Sequence, residues 1–366
     1  MRRFIFVAVF FLAACVDRTL APVMPGALAV GTIHPVFVAT TRAKEADGSF
    51  GRNRTLDMQY LETKVSVPPQ HKRGQIKHQF GNPDPETDFV IASQDSFAGS
   101  AEFRRELKGQ ITAQPAQERD VILYVHGYYN SYSDGVFRAA QLKHDLDLPG
   151  TVVHFSWPSA ATPLAYTYDR DSMLFSRDAL EQLLNDIRAS GARRIILMGH
   201  SLGTMLIMET LRQIEIKQPG WSARSLGGVI LISPDIDVDL FKSQMHRFAS
   251  LPKPFAIFVS QKDRALQLSA RVNGSANRLG TVTDPAELAD YEVTLIDVSE
   301  FSSNREVGHF TVGTSPALIA ILNRSTELDS AFQRDRAGRT GLLQGTVITV
   351  QNATQLILSP GLVVQN

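Results

Sequence analysis

The chain has 366 residues, 43% hydrophobic and 20% charged, a globular composition with enough apolar material for at least one large core. Lys plus Arg number 37 and Asp plus Glu number 37, so no net field draws in a polyanion and no nucleic-acid partner is expected. Cys15 is the only cysteine, which excludes an intrachain disulfide.

The start, "MRRFIFVAVFFLAAC", has two arginines, an apolar run from Phe4 to Leu12 and small residues before Cys15, the layout of a secretory signal. The run is too short for a permanent bilayer span. Leu12-Ala13-Ala14-Cys15 resembles the lipobox of bacterial lipoproteins. That resemblance implies a signal peptide over 1–14, cleavage before Cys15, acylation of Cys15 and a tether over 15–31. Several acyl chains on one residue exceed the two-signal threshold for stable anchoring, so the expectation is an exported protein lipid-anchored to the cell envelope. In a host with two membranes, Val16 after the cysteine, where aspartate would favour the inner membrane, points to the outer membrane, facing the periplasm. An ordinary cleaved signal with an incidental cysteine is the bland alternative.

"HPVFVATTR" and "YLETKVSVPP" read as two strands that pair, being rich in β-branched and aromatic residues and stopped by turn formers. Residues 70–120 are polar and irregular, apart from a short apolar run at "DFVIAS" and a helix-compatible "AEFRRELKGQ". From residue 120 six short apolar runs follow: "DVILYVHG", "GTVVHFSWP", "RRIILMGHS", "GGVILISPD", "PFAIFVSQKD" and "YEVTLIDVSE". Runs apolar on both faces are what a parallel sheet covered on both sides requires. Helix-compatible segments lie between them, and in "TMLIMETLRQIEI" the apolar residues recur at three and four. The pattern predicts an α/β fold with a mostly parallel, doubly wound sheet and an antiparallel N-terminal strand pair. This domain is expected over 32–325. Residues 326–366 form a C-terminal extension that adds a strand or packs on the surface.

Gly199-His200-Ser201-Leu202-Gly203 fits G-x-S-x-G, a pattern common enough by chance that its context decides. Ser201 follows an apolar strand-like run and precedes an amphipathic helix, the setting of a nucleophile elbow. A serine hydroxyl needs a base, and the base needs an orienting carboxylate. Asp263 ends the fifth run and His309 follows the last, giving the chain order Ser201, Asp263, His309 of the α/β-hydrolases. Asp235, at the end of the preceding run in "SPDIDVD", is the alternative acid, unless Asp235 and Asp237 only cap the next helix. The backbone N–H groups of Tyr128, after "VILYVHG", and Leu202 are the candidate oxyanion hole. Tyr129 and Trp157 are candidate pocket residues, drawn from a group of loop aromatics that includes Tyr128, Tyr132, Tyr166 and Tyr168. Asp169, Arg170 and Asp171 read as a solvated charged loop.

Together with "FSWPS", "SPDID", "SQKDRAL" and "VFVATTR", these residues make the chain resemble the DUF900 group of α/β-hydrolases, which are esterase/lipase-like, from about Pro35 to about residue 325. The resemblance implies the α/β-hydrolase fold and the triad reached above, without fixing a substrate. No H-E-x-x-H pair, cysteine cluster, EF-hand loop or P-loop occurs, so neither a metal nor a cofactor is expected. The expected activity is hydrolysis of a small-molecule or lipid carboxylic ester through an acyl-enzyme, with acyl transfer, peptide cleavage or a non-catalytic envelope binding module as alternatives. Oligomeric state is not legible.

Overall fold

The pleat of a strand sends successive side chains to opposite faces, so a strand that is apolar at every position seeds two cores. In the computed structural model, which describes residues 21–78, 82–274, 277–301, 309–316, 318–319 and 346–358, this produces a single mixed sheet of eleven strands. They are β1 (Thr32–Lys44), β2 (Phe50–Val67), β3 (Val90–Phe97), β4 (Val121–Val125), β5 (Thr151–Ser156), β6 (Ile195–His200), β7 (Leu226–Ile232), β8 (Phe255–Val259), β9 (Thr294–Asp297), β10 (Thr346–Val350) and β11 (Ala353–Ile357). Their spatial order is β10-β11-β9-β8-β7-β6-β4-β5-β1-β2-β3. The six predicted runs are β4 to β9, mutually parallel throughout. The two N-terminal runs are β1 and β2, paired antiparallel from Thr32↔Val67 onward, with β3 antiparallel beyond them. This is the α/β-hydrolase fold.

The helices are α1 (Ser100–Thr112), α2 (Tyr132–Asp145), α3 (Tyr166–Phe175), α4 (Arg177–Ala189), α5 (Leu202–Lys217), α6 (Trp221–Ser225), α7 (Val238–Met245), α8 (Arg264–Asn273) and α9 (Thr311–Thr314). On β4, Val121, Leu123 and Val125 enter a core shared with α1, α4, α5 and α7, while Ile122 and Tyr124 enter the other, shared with α2. Apolar side chains dominate both faces of these strands, which is why they read as nearly continuous apolar runs. A Ser131 capping box with Asp134 starts α2, and Asp237 caps α7 through the N–H groups of Asp239 and Leu240, the capping role foreseen for it.

The chain passes from β4 outward to β5 and returns to β6 on the other flank of β4. At such a reversal the loops leaving neighbouring strands diverge and open a crevice at the carboxyl ends, the usual ligand position in open α/β sheets. The C-terminal segment adds β11 parallel to β9 and β10 antiparallel to β11, so the sheet continues past the boundary expected at 325. No helix among the described residues is long and apolar enough to cross a membrane. The signal peptide, Cys15 and Val16 lie outside the described residues.

Candidate active site

Ser201 leaves β6 with φ 52° and ψ −126°, a left-handed conformation that L residues rarely adopt, and α5 begins at the next residue. Its N–H donates to Ile232 O at 3.0 Å and its carbonyl accepts the Thr204 N–H at 3.0 Å, so the turn is held from both sides. Its side chain makes no capping bond to α5, so it is not held as a helix N-cap. The flanking glycines are there for space. A Cβ at Gly203 would stand 2.3 Å from His126 O and 2.6 Å from Val125 O, and one at Gly199 2.6 Å from the Ile207 side chain. Helix α5 therefore crosses β4 closely enough to bring its N-terminus, with its partial positive charge, under the serine.

Asp263 follows β8 and caps α8, its Oδ1 accepting the Leu266 N–H at 3.0 Å. Its Oδ2 accepts from His309 Nδ1 at 2.8 Å. With the imidazole proton on Nδ1, Nε2 is left as an acceptor, the tautomer a general base needs. Burial pulls the His309 imidazole downward, yet the Asp263 charge and hydrogen bond, helped by the charge of Asp235, outweigh it and hold the imidazole above its ordinary value of 6.5. Asp235, the alternative acid, is engaged elsewhere: its carboxylate accepts from Tyr166 Oη at 2.8 Å and Ser269 Oγ at 2.7 Å and lies 3.5 Å from Arg278 Nε.

His200, the variable residue of the pentapeptide, links the two halves of the site. Its Nε2–H donates to the His309 carbonyl at 2.9 Å, the two rings lie 4.7 Å apart, and Phe310 meets it edge-on at 4.4 Å. Ser201 is therefore one residue from a direct contact with His309. The sequence reading gave His200 no role, because a histidine at a strand end carries no signal of what it will touch.

The loop after β4 runs beside the elbow: a Cβ at Gly127 would meet Ser201 Cβ at 2.7 Å. Among the described residues neither the Tyr128 N–H nor the Leu202 N–H bonds to a protein acceptor, which leaves both expected oxyanion donors available. The loop is braced from below. Asn130 Nδ2 donates to Tyr128 O at 2.8 Å, and Asp169 accepts from Tyr129 N–H at 3.3 Å, Ser159 Oγ at 2.5 Å and Ala160 N–H at 2.7 Å. Arg42, at the end of β1 and 1% exposed, donates to Asn130 O at 2.8 Å, Ser159 O at 3.0 Å, Gly51 O at 2.8 Å and Ser156 Oγ at 3.0 Å. Burial lowers the Arg42 guanidinium to about 10, and Asp169 and Asp134 supply opposing charge.

Three expectations need correction. Trp157 is not a pocket wall: it is 0% exposed, stacks on His126 at 4.8 Å and donates from Nε1 to His126 O at 2.7 Å, so no face of the indole is available to a ligand. Asp169 is not part of a solvated loop but is buried in α3 beneath the candidate oxyanion loop. Of the loop aromatics, Tyr132, Tyr166 and Tyr168 lie in helices, and Tyr132 is buried with its hydroxyl against Thr63 Oγ1. Tyr129 is exposed beside Tyr128, whose ring meets Tyr166 edge-on at 5.4 Å.

The family model of DUF900, described as an alpha/beta hydrolase of unknown function, matches residues 100–325. No curated protein matches the chain. Among solved structures, the chain is 10% identical to an esterase from Rhizomucor miehei, with a TM-score of 0.36 over 86% of this chain and 88% of that one. It is likewise 10% identical to a hyperthermophilic esterase from Pyrobaculum calidifontis, with a TM-score of 0.36 over 82% and 87%. With a monoacylglycerol lipase from Paleococcus ferrophilus it shares 15% identity, with a TM-score of 0.31 over 57% and 95%.

Proposed function

Because the chain belongs to DUF900, a family of alpha/beta hydrolases of unknown function, we propose that it is a serine hydrolase acting on carboxylic esters through an acyl-enzyme. The observation that carries this reading is the 2.8 Å bond from His309 Nδ1 to Asp263, with the His309 carbonyl held by His200, the neighbour of a serine on a left-handed elbow. Ser201 Oγ attacks the ester carbonyl as His309 Nε2 takes its proton, and Asp263 stabilises the imidazolium that results. The Tyr128 and Leu202 N–H groups hold the oxyanion. His309 then gives the proton to the departing alcohol, and water repeats the sequence to release the acid. Tyr129 lines the approach. The hydrolase unit begins near residue 32, and an acylated Cys15 tethers it to the envelope, in reach of small-molecule or lipid esters.

The test is intact-mass analysis after treatment with a fluorophosphonate probe, with Ser201→Ala and His309→Ala alongside. One adduct, absent in both variants, supports the reading. A folded parent that takes no adduct, or an adduct that survives in Ser201→Ala, refutes it.

A further inference from the structure

Three imidazoles and one buried carboxylate converge at the end of the sheet opposite Ser201. His34 stands near the start of β1, His71 in the loop after β2, and His144 and Asp145 in the last turn of α2. Helix α2 begins at the carboxyl end of β4 and runs back, so its last turn lies beside the amino ends of β1 and β5. One donor atom each from His71, His144 and Asp145 falls within 4.8 Å of the others.

We propose that His71, His144 and Asp145 bind a divalent transition metal of the zinc class, with His34 orienting the His144 ring. Two imidazoles and a carboxylate are an ordinary donor set for zinc, with a fourth position left to water. The supporting groups are in place. Asp145 Oδ2 accepts the Gly74 N–H at 2.8 Å and a second bond from Gln141 Nε2, which turns Oδ1 toward His71 Nε2 at 2.6 Å. Gln141 is itself anchored on Gly313 O at 3.1 Å, and the His71 ring is seated edge-on against Phe89 at 5.2 Å. His34 Nε2 and His144 Nδ1 lie 3.0 Å apart, the kind of contact that fixes the tautomer and plane of a metal-bound histidine through its other nitrogen. In a tetrahedral site with bonds of about 2.0 Å, neighbouring donors stand about 3.3 Å apart. His71 and Asp145, 2.6 Å apart, would open by less than about 1 Å, and His144, within 4.8 Å of both, would close by up to about 1.5 Å. A simple ion pair uses one imidazole, whereas here a second, His144, brings a donor atom within 4.8 Å of the same pair and is itself held by His34. The metal would join the N-terminal hairpin, the following loop and α2, far from the candidate nucleophile, so its role is to clamp the fold.

The full chain, purified without a histidine tag and stripped with chelator, is dialysed against Zn²⁺ alone, and bound metal and thermal midpoint are measured. The expected result is about one zinc per chain with a raised midpoint. Bound zinc and midpoint shift should both be lost in His71→Gln and His144→Gln and kept in Ser201→Ala and His246→Ala. The Gln variants nearly preserve side-chain volume, and circular dichroism establishes that they are folded. A folded parent that binds no zinc, or zinc retained equally by His71→Gln and His144→Gln, overturns the proposal. Fluorophosphonate labelling is read separately, so the failure of either idea leaves the other standing.

Discussion

Replacing Asp263 with asparagine separates the chemical role of this carboxylate from its structural one. Asp263 Oδ1 caps α8 through Leu266 N–H at 3.0 Å, and Oδ2 receives His309 Nδ1–H at 2.8 Å. An asparagine keeps its oxygen on the helix cap, where it serves as well as aspartate, and thereby turns its NH₂ toward His309. Two donors cannot share that contact, so the imidazole proton moves to Nε2 and the ring can no longer accept from Ser201. In the Ser-His-Asp template this tautomer error costs about 10⁴ in kcat, or about 5.4 kcal/mol at about 1.36 kcal/mol per tenfold. The assay is steady-state hydrolysis of a short p-nitrophenyl ester at pH 8, with urea denaturation to show that stability moves by less than about 1 kcal/mol. Asp235→Asn serves as the comparison. Turnover in Asp263→Asn within tenfold of the parent refutes the reasoning, and collapse in Asp235→Asn alone moves the role to Asp235.

The pH dependence follows from the same contact: His309 must be neutral to act as a base and is held above 6.5. The kcat/KM for an uncharged ester should therefore fall as pH drops, with a midpoint above 6.5; a midpoint well below that value shows that burial outweighs the two carboxylates. His200→Phe keeps the ring packing but loses the bond to the His309 carbonyl, worth about 0.5–1.5 kcal/mol, so kcat/KM should fall by roughly two- to tenfold; an unchanged value removes His200 from the positioning of His309. Gly203→Ala drives a methyl to 2.3 Å from His126 O and should cost about 1–3 kcal/mol in urea denaturation, whereas an unshifted midpoint shows that α5 gives way freely. Arg42→Met takes the donor from the carbonyls of Asn130, Ser159 and Gly51 and from Ser156 Oγ and, at about 1–3 kcal/mol for each buried group left unsatisfied, should cost at least about 3 kcal/mol, measured the same way; a loss under about 1 kcal/mol means that the loop holds without the guanidinium.

The central strands were legible because burial on both faces leaves a local mark: β4 to β9 are continuous apolar runs, and nothing distant is needed to read them. Asp263 and His309 were placed by the same logic, as polar residues where such runs end. What escaped depends on partners far away in the chain. Asp169 lies in "DRD", which looks solvated, and its burial is offset by hydrogen bonds from Ser159, Ala160 and Tyr129 and, to a smaller extent, by the charge of Arg42, more than a hundred residues earlier. Trp157 after a strand suits a pocket or a core equally well by composition, and the His126 carbonyl that takes its N–H decides between them. The histidines of the distal cluster come from three separate segments, so no motif spacing unites them.

The buried guanidinium of Arg42 also bears on what can be cut from or grafted onto this chain. The family-matched region, residues 100–325, contains Ser201 and the proposed acid and base, Asp263 and His309, and looks like a portable cassette. Yet the loop beside the elbow rests on a cation delivered by a strand outside that region, which contacts Asn130, Ser156 and Ser159 at once. A transplanted cassette would carry Ser201, Asp263 and His309 and leave the Asn130 and Ser159 carbonyls without their donor. The hairpin and the region that carries the elbow therefore form one folding unit, and a replacement for Arg42 has to supply new donors to the Asn130 and Ser159 carbonyls.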